Sequence, residues 1–131
     1  MLTDLLQSIR ALPLWVKLWM LFLGPINVCT ILFLDEPFGL WIAISAYGGM
    51  IPLGIIAIIQ RGLSKAGSIP HVIAWTPLVI GLAWWLLTSG PTNPTYSAFL
   101  TVLFIANCIS LVFDYIDSIK WLRGQRKIIG R

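Results

Sequence analysis

Four apolar segments of about 20 residues each dominate this sequence. They cover residues 14–34, 38–59, 69–88 and 95–116, and the second and third contain no Lys, Arg, Asp or Glu. At a rise of about 1.5 Å per residue, a helix of this length crosses a hydrocarbon core of about 30 Å. A barrel strand would be about half as long and would alternate polar and apolar residues. We therefore predict an all-α integral membrane protein with four transmembrane helices.

Composition argues against a soluble domain. The chain of 131 residues is 58% hydrophobic and 11% charged, and a fold of this size leaves too much surface in water to hide that apolar fraction. The connections between the segments are short, which favours an antiparallel four-helix bundle over residues 1–131 as a single membrane domain. Asn93 and Pro94 are typical of the cap and first residue of the fourth helix. In residues 3–12, apolar side chains recur at helical spacing behind Thr3, so a short N-terminal interfacial helix capped by Thr3 is expected.

The distribution of charge predicts the orientation in the membrane. The nine basic residues are Arg10, Lys17, Arg61, Lys65, Lys120, Arg123, Arg126, Lys127 and Arg131. All nine fall on one side of the predicted membrane, whereas the other side carries Asp35 and Glu36 in one connection and no charge in the next. The positive-inside tendency then places both termini in the cytoplasm, as N-in/C-in. We expect a multi-pass protein of the bacterial inner (plasma) membrane.

A polar stripe runs along the end of the fourth segment. It consists of Asn107, Ser110, Asp114 and Asp117. The spacing of three, four and three residues places all four on one face of a helix. That face must turn away from lipid, because polar groups in a membrane are costly unless they are paired. The alternative is that the stripe lines a path for a solute or proton.

The first segment carries a matching polar face with Lys17 and Asn27. Depth along the two helices predicts an ion pair between Lys17 and Asp114. Farther into the membrane, Pro25 leaves the carbonyl of Leu21 without its helical donor, so the hydroxyl and amide of the stripe are predicted to bond to it. Helices one and four are therefore expected to be antiparallel neighbours joined by a polar seam, each hydrogen bond contributing about 0.6 to 2 kcal/mol.

His71 lies at the inner end of the third segment, at a depth similar to that of Asp114 and Asp117. Such a group would suit a metal ion or an acid and base pair. However, the three residues come from two helices and lack the local spacing of His and Glu that is typical of metal sites. We therefore predict no metal site, no cofactor and no catalytic residue, and an interfacial His71 bonded to backbone or water.

The last residues form a basic tail over 117–131. Its cations are Lys120, Arg123, Arg126, Lys127 and Arg131, and each is predicted to contact anionic lipid headgroups for up to about 1 kcal/mol. Basic and aromatic residues do not interleave as they do in nucleic-acid-binding proteins, so no nucleic acid partner is expected.

Tryptophans and small residues favour simple packing roles. The seven Trp residues, Trp75 among them, fall near the two predicted membrane interfaces and suggest aromatic belts. Ser45 and Gly49, four residues apart, give the second helix a small face that favours close helix contact.

Three functions remain open. We expect a small non-catalytic accessory or assembly subunit that acts through helix–helix, lipid and basic-tail contacts. Its expected partners are membrane lipids and either another membrane protein or further copies of itself. The alternative is an oligomeric channel or transporter for a small solute, with Asn27 and Asn107 near the constriction. The third is a lipid-active enzyme that uses His71 with Asp114 or Asp117 at the cytoplasmic interface.

Overall fold

The computed structural model describes residues 2–130, and its regular structure in this range is entirely helical. The α-helices are α1 Leu2–Ala11, α2 Leu14–Val28, α3 Gly39–Gln60, α4 Ser68–Thr88 and α5 Pro94–Leu122. Short 3₁₀ turns cover Cys29–Phe33, directly after α2, and Lys65–Gly67, directly before α4. The predicted all-α class is therefore confirmed. α1 already begins at Leu2, so Thr3 lies inside that helix instead of capping it.

Four helical segments are long and apolar enough to cross a membrane: Leu14–Phe33, Gly39–Gln60, Lys65–Thr88 and Pro94–Leu122. They correspond in number and order to the four predicted segments, which supports a multi-pass membrane protein. The main difference is at the end of α5, which continues to Leu122 instead of stopping at residue 116. The first part of the predicted basic tail is therefore helical.

The core lies between α3, α4 and α5, with α4 in the middle. Tyr96, Leu100 and Leu103 of α5 are fully buried there. The segment that contains α2 is more peripheral. In its most apolar stretch of 18 residues 17% is buried, against 39% in the corresponding stretch of α5. Apolar packing therefore holds α3, α4 and α5 together more firmly than it holds α2.

Polar contacts close both ends of the molecule. At one end, which we call the tail end, the Ser8 hydroxyl donates to the Ile129 carbonyl at 2.6 Å, and the Ile129 N–H donates to the Leu63 carbonyl at 2.7 Å. At the opposite end, the Asn93 amide donates to Glu36 at 2.9 Å. Asn93 also caps α5 as predicted, since its side-chain oxygen accepts from the backbone N–H two residues later at 3.0 Å.

Candidate functional site

An asparagine pair joins α2 to α5 in the interior. The Asn27 Nδ2 donates to Asn107 Oδ1 at 2.9 Å, and the Asn107 Nδ2 donates back to Asn27 Oδ1 at 3.0 Å. The second N–H of Asn27 donates to the Leu23 carbonyl one turn earlier, at 3.0 Å. Both side chains are 0% exposed. Because each amide satisfies the other, two polar groups are buried without being left unpaired.

A second polar group joins α4 to α5 nearer the tail end. The Asp114 Oδ2 lies 3.1 Å from His71 Nδ1 and accepts a hydrogen bond from the Ser110 hydroxyl at 3.0 Å. His71 is 8% exposed and Asp114 is 9% exposed. The contact is an ion pair when the imidazole is protonated and a hydrogen bond when it is neutral. We call these three residues the His–Asp cluster.

Trp75 extends the His–Asp cluster to α3. Its ring stacks on the His71 imidazole, with centroids 3.9 Å apart and planes 10° apart. Its indole N–H donates to the Ala46 carbonyl at 3.1 Å. The indole fits only because residue 49 is glycine, since a Cβ at Gly49 would overlap Nε1 and lie 2.8 Å from Cδ1. The cluster and Trp75 thus connect three helices through buried polar contacts.

Trp75 was missed by the sequence analysis, which assigned it to an aromatic belt. It is 1% exposed and lies in the core instead. Two signals point to it in retrospect. His71 and Trp75 are one helical turn apart, so their rings share a face, and the small residue Gly49 on α3 leaves room for a large neighbour.

The predicted ion pair between Lys17 and Asp114 does not form in residues 2–130. The Lys17 ammonium donates to the Arg10 carbonyl at 3.0 Å, while Asp114 is occupied by the His–Asp cluster. The reason is local. The helix is interrupted between the end of α1 at Ala11 and the start of α2 at Leu14. The Lys17 side chain can therefore reach the unpaired carbonyls at the end of α1. The stripe's hydroxyl and amide likewise bond to Asp114 and Asn27 instead of the Leu21 carbonyl.

The remaining polar positions of α5 diverge near the tail end. Ser118 is buried and its hydroxyl lies 2.8 Å from that of Ser68 on α4. Asp117, predicted to belong to the stripe, is only half-buried and interacts electrostatically with Lys65, Asp114 and Lys120. Within the described residues, no three His, Cys, Asp or Glu side chains are grouped so that they would hold a metal ion. Asp117 is thus outside the His–Asp cluster.

Four of the predicted headgroup-binding residues, Lys120, Arg123, Arg126 and Lys127, are exposed. Arg126 is the most constrained of them. Its guanidinium carbon lies 4.1 Å above the Trp121 ring, and its Nε donates to the Trp121 carbonyl at 3.2 Å. Arg131 lies outside the described residues.

Among the described residues, the interior brings one imidazole into contact with a carboxylate. His71 and Asp114 can share a proton, because an imidazole nitrogen and a carboxylate oxygen both bind protons. The asparagine pair does not titrate, so it holds the helices together without carrying a proton. Comparisons with protein-family models, curated proteins and solved structures find no match for this chain.

Proposed function

We propose that this protein is a non-catalytic accessory or assembly subunit that acts through its outer helix faces, bound lipid and basic tail. The observation that supports the proposal is that the deep polar groups bind one another. Asn27 and Asn107 close on each other, and Asp114 is occupied by His71 and Ser110. A transport path or a catalytic site needs polar groups that face a substrate. The outer surface is therefore the better candidate for function.

The surface between α2 and α5 suits a helix from another membrane protein. It forms a groove of about 490 Å³ lined by Trp15, Leu18, Trp19, Phe22, Ile109 and Phe113. Helices associate in membranes through close packing, and large aromatic side chains offer much contact area. Since α2 is also the least buried of the membrane segments, a partner helix in this groove would complete its packing.

A crosslinking experiment tests this role. A photo-reactive amino acid in place of Leu18 faces the groove. The same amino acid in place of Leu87, which is also an exposed leucine, lies outside the groove. We expect irradiation of native membranes to give one stoichiometric protein adduct from position 18 and none from position 87. The intact complex released in native lipid should have the mass of that adduct. A lone chain carrying only lipid, with no adduct at either position, would remove the case for an assembly subunit.

The proposed orientation is an antiparallel bundle in a bacterial inner membrane, with the tail end in the cytoplasm. The support is the distribution of charge in the sequence, which predicts all nine basic residues on that side. After both native cysteines are replaced by alanine, single cysteines at Ser89 and Gln125 report on the two ends. A membrane-impermeant thiol reagent should label position 89 in intact cells and position 125 only after lysis. The reverse pattern would overturn the orientation.

Proton-linked transport is a second candidate, favoured by the contact between His71 and Asp114 inside membrane-spanning helices. Ionisable residues at such positions are costly and often functional. In liposomes with a pH gradient, a proton-linked transporter would give a proton flux, and that proton flux would be lost in Asp114→Asn. Such a flux would replace the accessory role as the preferred function, whereas its absence in a correctly folded protein would eliminate transport.

A further inference from the structure

We propose that the groove between α3 and α4 is a site for one anionic phospholipid, with an acyl chain in the groove and the phosphate on Arg126. This inference deepens the lipid contacts of the proposed function and rests on it. It is drawn from the shape of the groove, its length and the charge at its end.

The groove is apolar and has a volume of about 470 Å³. Its lining includes Gly48 and Pro52 on α3 and Ile73 on α4, and it ends at Gln60 and Trp121. Gly48 has no side chain to occupy the groove. A Cβ added there would lie 3.7 Å from the Cβ of Ala74 on α4, which is an ordinary contact. A flexible hydrocarbon chain suits such a lining, because apolar side chains need no hydrogen-bond partner from it.

The length of the groove matches one leaflet of the membrane. From Gly48 to Gln60 the α3 side advances 12 residues (60 − 48), or about 18 Å at about 1.5 Å per residue. Half of a hydrocarbon core is about 15 Å. A lipid tail extends from its headgroup to the midplane, which is about this length. The occupant that fits this length is therefore an acyl chain of the leaflet at the tail end.

The charge at the end of the groove suits a phosphate. Arg126 lies over Trp121, which lines the groove. Of the five guanidinium N–H groups, the one on Nε is bonded to the Trp121 carbonyl. The terminal nitrogens form no hydrogen bond within residues 2–130, and their fork geometry matches phosphate oxygens. Asp117 is the acidic residue closest to Arg126 in the sequence, and it interacts electrostatically with Lys65 and Lys120. Arg126 and the neighbouring Lys127 are exposed, so this part of the tail carries a positive charge.

Native mass spectrometry of the full chain tests the site. The protein is equilibrated in vesicles of phosphatidylcholine and phosphatidylglycerol with identical acyl chains, and retained lipid is counted after mild release. We expect the protein to retain one phosphatidylglycerol molecule in preference to phosphatidylcholine. Arg126→Gln should lower that preference about fivefold or more, while Arg10→Gln, a matched loss of an exposed charge at the same end of the molecule, should leave it nearly unchanged.

The acyl-chain part of the site has its own variant pair. Gly48→Leu fills the groove and should reduce retention of both lipids, whereas Gly54→Leu on the same helix has open space around it and should not. Circular dichroism melting verifies that each variant is folded. Equal effects of the two arginine variants, or equal retention by the two glycine variants, would overturn the proposal. A protein adduct at position 18 with no selectivity for phosphatidylglycerol would overturn this inference alone. Selectivity for phosphatidylglycerol with no protein adduct at position 18 would overturn only the assembly role.

Discussion

The contact between Asn27 and Asn107 makes a quantitative prediction. Replacing either residue with Leu keeps the number of side-chain heavy atoms but removes both bonds, of 2.9 and 3.0 Å, between α2 and α5. Hydrogen bonds between membrane helices contribute about 0.6 kcal/mol on average and about 1.7 kcal/mol at most. Two such bonds therefore contribute about 1.2 to 3.4 kcal/mol. We expect each single variant to lose about 1 to 3 kcal/mol of unfolding free energy.

The two single variants should differ in a defined direction. After Asn107→Leu, the Asn27 amide still donates to the Leu23 carbonyl. After Asn27→Leu, the Asn107 amide has lost every side-chain hydrogen bond that it makes in the described part of the chain. Because a buried polar group without a partner costs more than the bond it formed, Asn27→Leu should be the more destabilising change. The double variant leaves neither amide unpaired and should cost less than the sum.

The measurement is a double-mutant cycle of unfolding free energies in lipid bicelles. Thr101→Val is the control, since in residues 2–130 this exposed hydroxyl on α5 bonds only to the Ser97 carbonyl of its own helix. We expect a coupling energy of about 1 to 3 kcal/mol for the asparagines and no significant loss for the control. Effects that add within about 0.5 kcal/mol would show that the two amides act independently, which would refute the pairing.

Three further substitutions test other contacts, the first two by the same unfolding measurement and the third by hydrogen exchange. Gly49→Ala should cost about 1 to 3 kcal/mol because its methyl group overlaps the Trp75 indole, while Gly54→Ala, with open space around it, should be neutral or slightly stabilising; equal effects would contradict the close approach. Asn93→Ala should cost about 1 to 2 kcal/mol, because it removes both the α5 cap and the hydrogen bond to Glu36. Ser8→Ala should free the tail carbonyl that it binds, which faster hydrogen exchange at the neighbouring tail amides would report; unchanged exchange would count against the contact.

The number and position of the membrane segments follow from apolarity and length alone, because both properties are local to each segment. The cap at Asn93 is predictable for the same reason, since its acceptor and donors are within three residues of each other. The end of α5 was less predictable. Asp117 and Lys120 reduce the local hydropathy there, yet the helix continues through them, with Ser118 buried against Ser68 of α4.

The pairing of polar groups could be predicted only in part. Depth suggested that residues of the first and fourth helices meet, and the structure brings Asn27 and Asn107 together. Depth could not indicate that Lys17 turns back towards α1, since this depends on the chain direction after Ala11. The partner of Asp114 likewise depends on how α4 is rotated about its axis. That rotation is set by the fit of Trp75 against Gly49, which involves two helices at once.

The asparagine pair also has a consequence for synthesis of the chain. Its members are 80 residues apart, so at about 5 to 20 residues per second α2 leaves the ribosome about 4 to 16 s before its partner does. During that interval the Asn27 amide has no Asn107 to bind. The Leu23 carbonyl of its own helix gives it one immediate acceptor. α2 can thus enter the bilayer with part of the cost of burying the Asn27 amide already offset, and it can remain there until α5 arrives.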